Sequence, residues 1–385
     1  MTLHTDCGYS YLDTLVLQNT SFAIYRMPGN KETAFALQQK ENPESLLQLT
    51  DLNGKSGFVV SPFRVSEQTP IVLLHPDVNL EGEDSILDFL ERRFQKIDPL
   101  TGKSNLGTTA SERPDSKGSS FFTNPYCAYK KAFELFQDAL RSNTCEKIVL
   151  SRTLKKRMPV GFSVGRTFKA ACEAYPEAFV YLCHTPQTGT WFGSSPELLL
   201  SGENSSWHTA ALAGTMKAPV EGTSVEWNNK NIREQHIVSD YLEKQLSLHH
   251  LTGKKKGPYT SKAGKLMHLK TDFDFKMTQK GRIGDLLESL HPTPAVCGFP
   301  KEKAHQLLLD HEGYDRKYYS GFIGELSLNE RTNLFVNLRC MQVQSNTLTF
   351  FAGGGLLASS ELDAEWEETE EKLQTMLSLI DFDKK

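Results

Sequence analysis

Near the end of the sequence Glu365, Glu368 and Lys372 are spaced by three and four residues, so on a helix they share one face. Two carboxylates beside an ammonium can hold a divalent cation together with an anionic ligand. The same spacing suits a solvated helix carrying surface Glu–Lys pairs, and this stretch alone does not separate the two readings. A matching element upstream favours the first: Asn231 and Glu234, three apart at the start of another helix-like run, offer oxygen donors from a second direction. Oxygen donors from two helices suit a hard ion such as Mg2+, which keeps some waters and touches an anionic substrate.

Four further features could carry chemistry. Lys147 lies in a stretch that reads as a buried strand, where it either snorkels or is a desolvated amine of lowered pKa able to act as a base. Glu197, at the mouth of the apolar run 198–200, is either structural or a carboxyl that stays protonated near neutrality and can donate a proton. Arg339 reads as part of a hydrophobic strand and needs a counter-anion there, from a glutamate or from a substrate carboxylate. Gly353, Gly354 and Gly355 either let backbone N–H groups approach an anion or form a tight strand-to-helix turn. His291-Pro-Thr-Pro294 is a rigid loop, more often a turn than a site. There is no phosphate-binding G-x-x-x-x-G-K-[ST] loop, no dinucleotide fingerprint and no G-x-S-x-G, which argues against ATP, NAD and serine-hydrolase chemistry.

The elements that must position these groups are read from periodicity. Residues 14–17, 57–60 and 71–74 have strand character, with a helix over 85–96 and a Ser/Gly/Thr/Pro-rich loop or linker over 98–120. Tyr129, Phe133, Phe136 and Leu140 mark a helix over 126–142, followed by a strand over 147–154. Strands then come in a group, at 178–184, 190–192, 197–201 and 207–212, before a long helix beginning near Asn229. The lysine-rich run 252–258 reads as a solvated loop. Beyond it come strands at 265–269, 318–326, 334–343 and 347–352, a helix at 282–290 and the acidic helix. Strands in runs point to an α+β fold of antiparallel sheets rather than to a parallel βαβ sheet.

Composition bounds the class. The chain has 385 residues, 38% of them hydrophobic, and a net charge of −4, enough for a sizeable core and with no basic excess for nucleic acid or an anionic membrane. Seven scattered cysteines without a C-x-x-C pair argue against a disulfide framework or a zinc site and suit a reduced, cytoplasmic protein. No export signal or membrane-spanning run is expected.

Eight segments occur together in order: Lys147-Ile-Val-Leu-Ser-Arg152, Phe192-Gly-Ser-Ser-Pro-Glu-Leu198, Leu212-Ala-Gly-Thr215, Lys230-Asn-Ile-Arg-Glu234, Leu290-His-Pro-Thr-Pro-Ala295, Tyr319-Ser-Gly-Phe-Ile-Gly324, Phe351-Ala-Gly-Gly-Gly355 and Glu365-Trp-Glu-Glu-Thr369. In this the chain resembles the chorismate-utilising enzymes, and within them the isochorismate synthases, with anthranilate synthase component I, aminodeoxychorismate synthase and salicylate synthase as relatives. The resemblance covers roughly residues 125–380. It implies one α+β unit of large antiparallel sheets with helices outside, in which residues 1–120 are a variable N-terminal part and 121–385 the chorismate-binding region.

The resemblance also implies Mg2+-dependent conversion of chorismate to isochorismate. Lys147 would activate the water that attacks C2, and Glu197 would protonate the departing C4 hydroxyl. Glu234 and Glu368, with Glu365 nearby, would hold Mg2+ against the ring carboxylate, and Asn231 would make a water-mediated contact. Arg339, Lys372 and the backbone of Gly353, Gly354 and Gly355 would take the enolpyruvyl carboxylate. Ala213, Gly214, Thr215, His268, His291 and Thr293 would form pocket walls. Lys147 stands where ammonia-using relatives carry glutamine, so no amidotransferase partner is expected. Ala295 and Val296 suit the isochorismate type over salicylate synthase, which remains the alternative enzyme; a non-catalytic binding subunit is the alternative outside the class. A monomer serving menaquinone formation is expected, with siderophore formation as the other use.

Overall fold

The computed structural model describes residues 2–95, 124–217, 225–263, 266–278 and 280–382. Residues 98–120, read above as a loop or linker, lie outside the described residues. In chain order the first part contains α1 (Thr2–Leu17), β1 (Ser21–Arg26), β2 (Thr33–Gln38), β3 (Glu44–Leu46), β4 (Gly57–Ser61), β5 (Ile71–Leu74), β6 (Val78–Glu81) and α2 (Glu83–Gln95). The middle contains α3 (Pro125–Arg141), β7 (Lys147–Arg157), α4 (Val164–Ala174), β8 (Phe179–Thr185), β9 (Gly189–Ser195), β10 (Leu198–Glu203), β11 (Ser206–Lys217) and α5 (Asn229–Leu248). The last part contains β12 (Gly253–Ala263), β13 (Leu266–Lys276), α6 (Ile283–Leu290), β14 (Gly298–Phe299), α7 (Lys301–His311), β15 (Phe322–Leu328), β16 (Arg331–Val336), β17 (Cys340–Val343), β18 (Thr347–Leu356) and α8 (Leu362–Leu377).

The strands form two nine-stranded antiparallel sheets, ordered β14-β7-β18-β17-β9-β8-β1-β2-β6 and β12-β13-β11-β10-β16-β15-β4-β5-β3. Strands from before and after residue 120 lie side by side in both. The sheets face each other across an aromatic layer in which Phe179 of the first stacks on Phe335 of the second, centroids 4.3 Å apart. Tyr25 and Tyr181 of the first sheet also donate hydrogen bonds across the layer, to Glu325 and Asn337. A second apolar cluster packs α5 and α6 on the outer face of the second sheet, and a third packs α1, α4 and α8 on the outer face of the first. These layers bury both faces of the inner strands, which is why β8 reads as one apolar run rather than an alternating one.

Three local readings are corrected, and one of two open alternatives is set aside. Residues 14–17 end helix α1, because Tyr9, Leu12 and Leu15 form a buried stripe at helical spacing that their β-branched neighbours mask. The lysine run is strand β12, which has a neighbour on one side only; an edge strand can keep lysines in water while pairing through its backbone. Residues 334–343 are not one strand: the chain leaves the second sheet after Val336 and joins the first at Cys340, so Arg339 sits in the crossover with φ +46°. The glycine run 353–355 lies within β18 rather than in a turn. Helices α4 and α7 were not anticipated.

A buried ion pair ties the site's elements together. Arg316 and Glu312 have side chains only 2% exposed. Arg316 donates to the carbonyls of Val149 and Val296, and Glu312 accepts from the Ser151 backbone N–H and hydroxyl. Strand β7 and the segment before β14 are thereby fixed to one guanidinium. Glu312→Ala should cost about 3–5 kcal/mol, because it strands a buried charge. Urea unfolding checks this, and a loss comparable to that of a surface pair would show that water reaches Arg316.

Candidate active site

The site lies where β7, β18, the β9–β10 junction, β11 and the first turn of α5 meet. Asn228 caps α5, its side chain accepting from the Asn231 N–H, and the cap presents Lys230, Asn231 and Glu234 from the opening turns. Gly214 faces that turn with φ +73°, and a Cβ there would sit 3.0 Å from the Asn231 carbonyl oxygen. A positive φ and this close approach both require glycine. The Asn231 amide donates to the Thr215 carbonyl, so this side chain braces the wall rather than facing the carboxylates.

Lys147 is the first residue of β7 and is wholly buried, its Nζ 2.9 Å from Glu234 Oε1. It is therefore not a snorkelling lysine. The glycines explain how an ion pair fits against a strand. A Cβ on Gly355 would lie 2.1 Å from Glu234 Oε1 and 2.8 Å from Lys147 Cε, whereas one on Gly354 would meet Glu365 Oε2 at 3.2 Å and Glu368 Oε1 at 3.6 Å. The run thus makes room for the carboxylates that pack against β18.

On α8, Glu365 shares a buried stripe with Thr369, Leu373 and Met376 and is itself 2% exposed, so this helix is not simply a solvated acidic one. Glu365 is bonded by Lys230 from α5, and its Oε2 is buried without a hydrogen bond. Burial, reinforced by Glu368, raises its carboxyl above the usual range against the pull of Lys230. Glu368 is bonded at 2.6 Å by Lys372, which also donates to the Gly353 carbonyl at 2.8 Å. Burial would raise Glu368, but the Lys372 and Lys230 ammonium groups outweigh it and hold it low. Each of the three carboxylates therefore carries one lysine, and among the described residues no three acidic, imidazole or thiol groups converge as a metal cluster. The donor chemistry still fits a hard divalent ion: two carboxylates of one helix meet over Gly354, one oxygen has no partner, and Glu234 stands at the next glycine.

Glu197, Ala213, Gly214, Thr215, His268, Ala295, Val296, Arg339, Gly353, Gly355 and Lys372 line one cleft with Glu234. Burial raises the Glu197 carboxyl to about 8, against the nearby Lys147, Lys372 and Arg339 charges. Burial, with Arg339 and Lys372, pushes His268 down to about 3, so it is neutral. Its Nδ1 lies 3.2 Å from both the Thr215 hydroxyl and the Gly214 carbonyl oxygen; the carbonyl can only accept, which assigns the proton to Nδ1 and leaves Nε2 a buried acceptor without a partner among the described residues. Arg339 forms no ion pair among the described residues. A cation lining a cleft in this state suits an anionic ligand.

Two expected wall residues lie outside this lining. His291 donates its Nε2–H to the Pro62 carbonyl at 3.0 Å and packs edge-on to Phe322, and the Thr293 carbonyl accepts from the N–H groups of Val296 and Cys297. They shape the turn that presents Ala295 and Val296. Lys230 was not singled out from the sequence; its place four residues before Glu234, one helical turn away, was the available signal.

A family model described as chorismate binding enzyme matches residues 33–381 of the chain. Isochorismate synthase MenF of Bacillus subtilis is 29% identical over 259 residues, which cover 65% of this chain and 55% of that protein. Isochorismate synthase EntC of Escherichia coli is 27% identical over 246 residues, covering 61% of this chain and 62% of EntC. The alignments thus reach less than two thirds of these relatives' lengths. Among solved structures, the menaquinone-specific isochorismate synthase MenF from Escherichia coli superposes with a TM-score of 0.73 at 20% identity, covering 97% of this chain and 91% of that one. Anthranilate synthase component I from Streptococcus pneumoniae gives 0.64 at 17% identity, covering 93% and 90%. At these identities the structures speak for the fold alone.

The state of Glu197 is measurable without any substrate. Between the unfolded value of 4.5 and about 8 the folded chain keeps a proton that the unfolded chain releases, so stability falls as pH rises through that window. Glu197→Gln lacks this dependence. From about pH 5 to about pH 8 wild type should lose stability relative to the variant by up to about 1.4 kcal/mol per pH unit in chemical unfolding. Parallel curves would mean that Glu197 titrates as an ordinary carboxylate.

Proposed function

The chain belongs to the chorismate-binding enzyme family, and from that premise we propose that it is an isochorismate synthase, adding water at C2 of chorismate as the C4 hydroxyl leaves. The observation that carries this reading is a wholly buried lysine whose charge reaches a carboxyl that burial raises to about 8 at the cleft. Lys147, as the neutral amine left once its proton has passed to the paired Glu234 carboxylate, takes a proton from the water whose oxygen bonds to C2. The ring double bonds shift, the C4–O bond breaks, and Glu197 gives its proton to the leaving oxygen. One water enters and one leaves, so the change is an isomerisation. A donor at the β9–β10 junction and an acceptor on β7 divide the two proton transfers between separate groups.

Arg339, which forms no ion pair among the described residues, receives a carboxylate of the substrate. His268 accepts a hydrogen bond from a substrate hydroxyl through Nε2. Mg2+ would be held by Glu234, Glu365 and Glu368 and would neutralise a substrate carboxylate when bound. Water as the nucleophile needs no ammonia-delivering partner. The small side chain of Ala295 in the cleft supports release of isochorismate rather than further elimination, which would make salicylate and pyruvate. Menaquinone formation and siderophore formation use the same product, so the site chemistry is common to both; we place the chain in the former.

Purified protein given chorismate and Mg2+ should form isochorismate without pyruvate and without ammonia. Stoichiometric pyruvate would move the assignment to salicylate synthase, and anthranilate made only with ammonium would overturn a water-dependent reaction. Lys147→Ala and Glu197→Gln should each lower kcat by about 10²–10⁴ with little change in KM. Because the acid must hold its proton, kcat should fall as pH rises through about 8, and Glu197→Gln should lose that limb. A raised KM with unchanged kcat would make Lys147 a binding group instead.

A further inference from the structure

Lys230 has no part in the chemistry proposed above, yet it holds the most deeply buried carboxylate of the acidic pair. We propose that Lys230 is an internal cation that occupies Glu365 until a divalent ion displaces it, and so sets how tightly the ion binds before substrate arrives. This rests on the metal reading given above and adds a positioning residue to it.

The argument is one of charge balance in a desolvated place. Glu365 and Glu368 lie side by side over Gly354, where two bare carboxylates would repel each other and the Glu365 carboxylate, 2% exposed, could not be hydrated. Two ammonium groups offset them. They are not equivalent. Lys372 is fixed by two bonds, to Glu368 and to the Gly353 carbonyl, on the same helix as the carboxylate it holds. Lys230 comes from the opening turn of α5, bonds Glu365 across the gap between two helices, and its side chain is 22% exposed. Carried on four methylenes in a side chain that is partly exposed, this ammonium can leave without disturbing either helix. An arriving divalent ion must compete with it for Glu365, and that competition lowers affinity for the ion while keeping the acidic pair compensated in its absence.

The test is Mg2+ alone, without chorismate, titrated calorimetrically into metal-free protein. Lys230→Met and Lys230→Gln should each bind Mg2+ about tenfold or more tighter than wild type, and Lys230→Arg, which keeps the charge, should bind as weakly as wild type. Circular dichroism shows whether each variant is folded. A crystal structure of the unsubstituted protein with Mg2+ needs no variant and should show the Lys230 ammonium away from Glu365. Equal or weaker binding by both neutral variants, or a bound ion with Lys230 still on Glu365, overturns the role of Lys230 and leaves the metal reading standing. No Mg2+ binding by any of these proteins, with or without chorismate, removes the metal reading and this proposal with it.

Discussion

The site depends on a strand that has no side chains where charge must be buried. The buried Lys147 meets Glu234 because Gly355 leaves the volume that their end groups fill, and Glu365 and Glu368 meet because Gly354 leaves room beside them. An alanine at position 355 would place its Cβ within 2.1 Å of a carboxylate oxygen. Close packing leaves no slack to absorb that, so the glycine run and the charged groups form one unit.

Holding that unit in place falls to the rest of the fold. β18 pairs with β7 along its length, which sets Gly355 opposite Val149, two residues from Lys147. The Arg316–Glu312 pair bonds Val149, Ser151 and Val296 from behind and so connects the strand carrying Lys147 to the turn carrying Ala295. Glu197 and Arg339 come from the other direction, at points where the chain passes between the two sheets: Val336 donates to the Glu197 carbonyl, and Ser194 to that of Arg339. Placing these residues at crossovers frees them from the strict alternation of a strand and lets them face the cleft together.

The electrostatics follow from this packing. Burial dominates at Glu197, whose neighbouring cations are too weakly coupled to keep it ionised. Cations dominate at Glu368, where Lys372 is in direct contact. Two glutamates near one cleft therefore sit on opposite sides of their ordinary value, and they are suited to different tasks, one to give a proton and one to hold positive charge.

The sequence by itself determined the fold class, most of the strands and helices, and the identity of nearly all the charged groups now found together. Those follow from short-range periodicity and from eight ordered segments, both written along one dimension. Tertiary structure decided what each group faces. An edge position turned the lysine run into strand β12, and a change of sheet turned one apparent strand into β16, a crossover and β17. The lysine partners of Glu234, Glu365 and Glu368 come from other elements or lie a turn away, and no local pattern records that Lys230 reaches Glu365 across 135 residues. His291 and Thr293 show the converse: adjacent to the cleft in sequence, they bond away from it, because a buried imidazole and a tight turn meet their nearest partners first. Residue type and spacing state which chemistry is available, and only packing, which removes water from some groups and pairs others, states which group performs it.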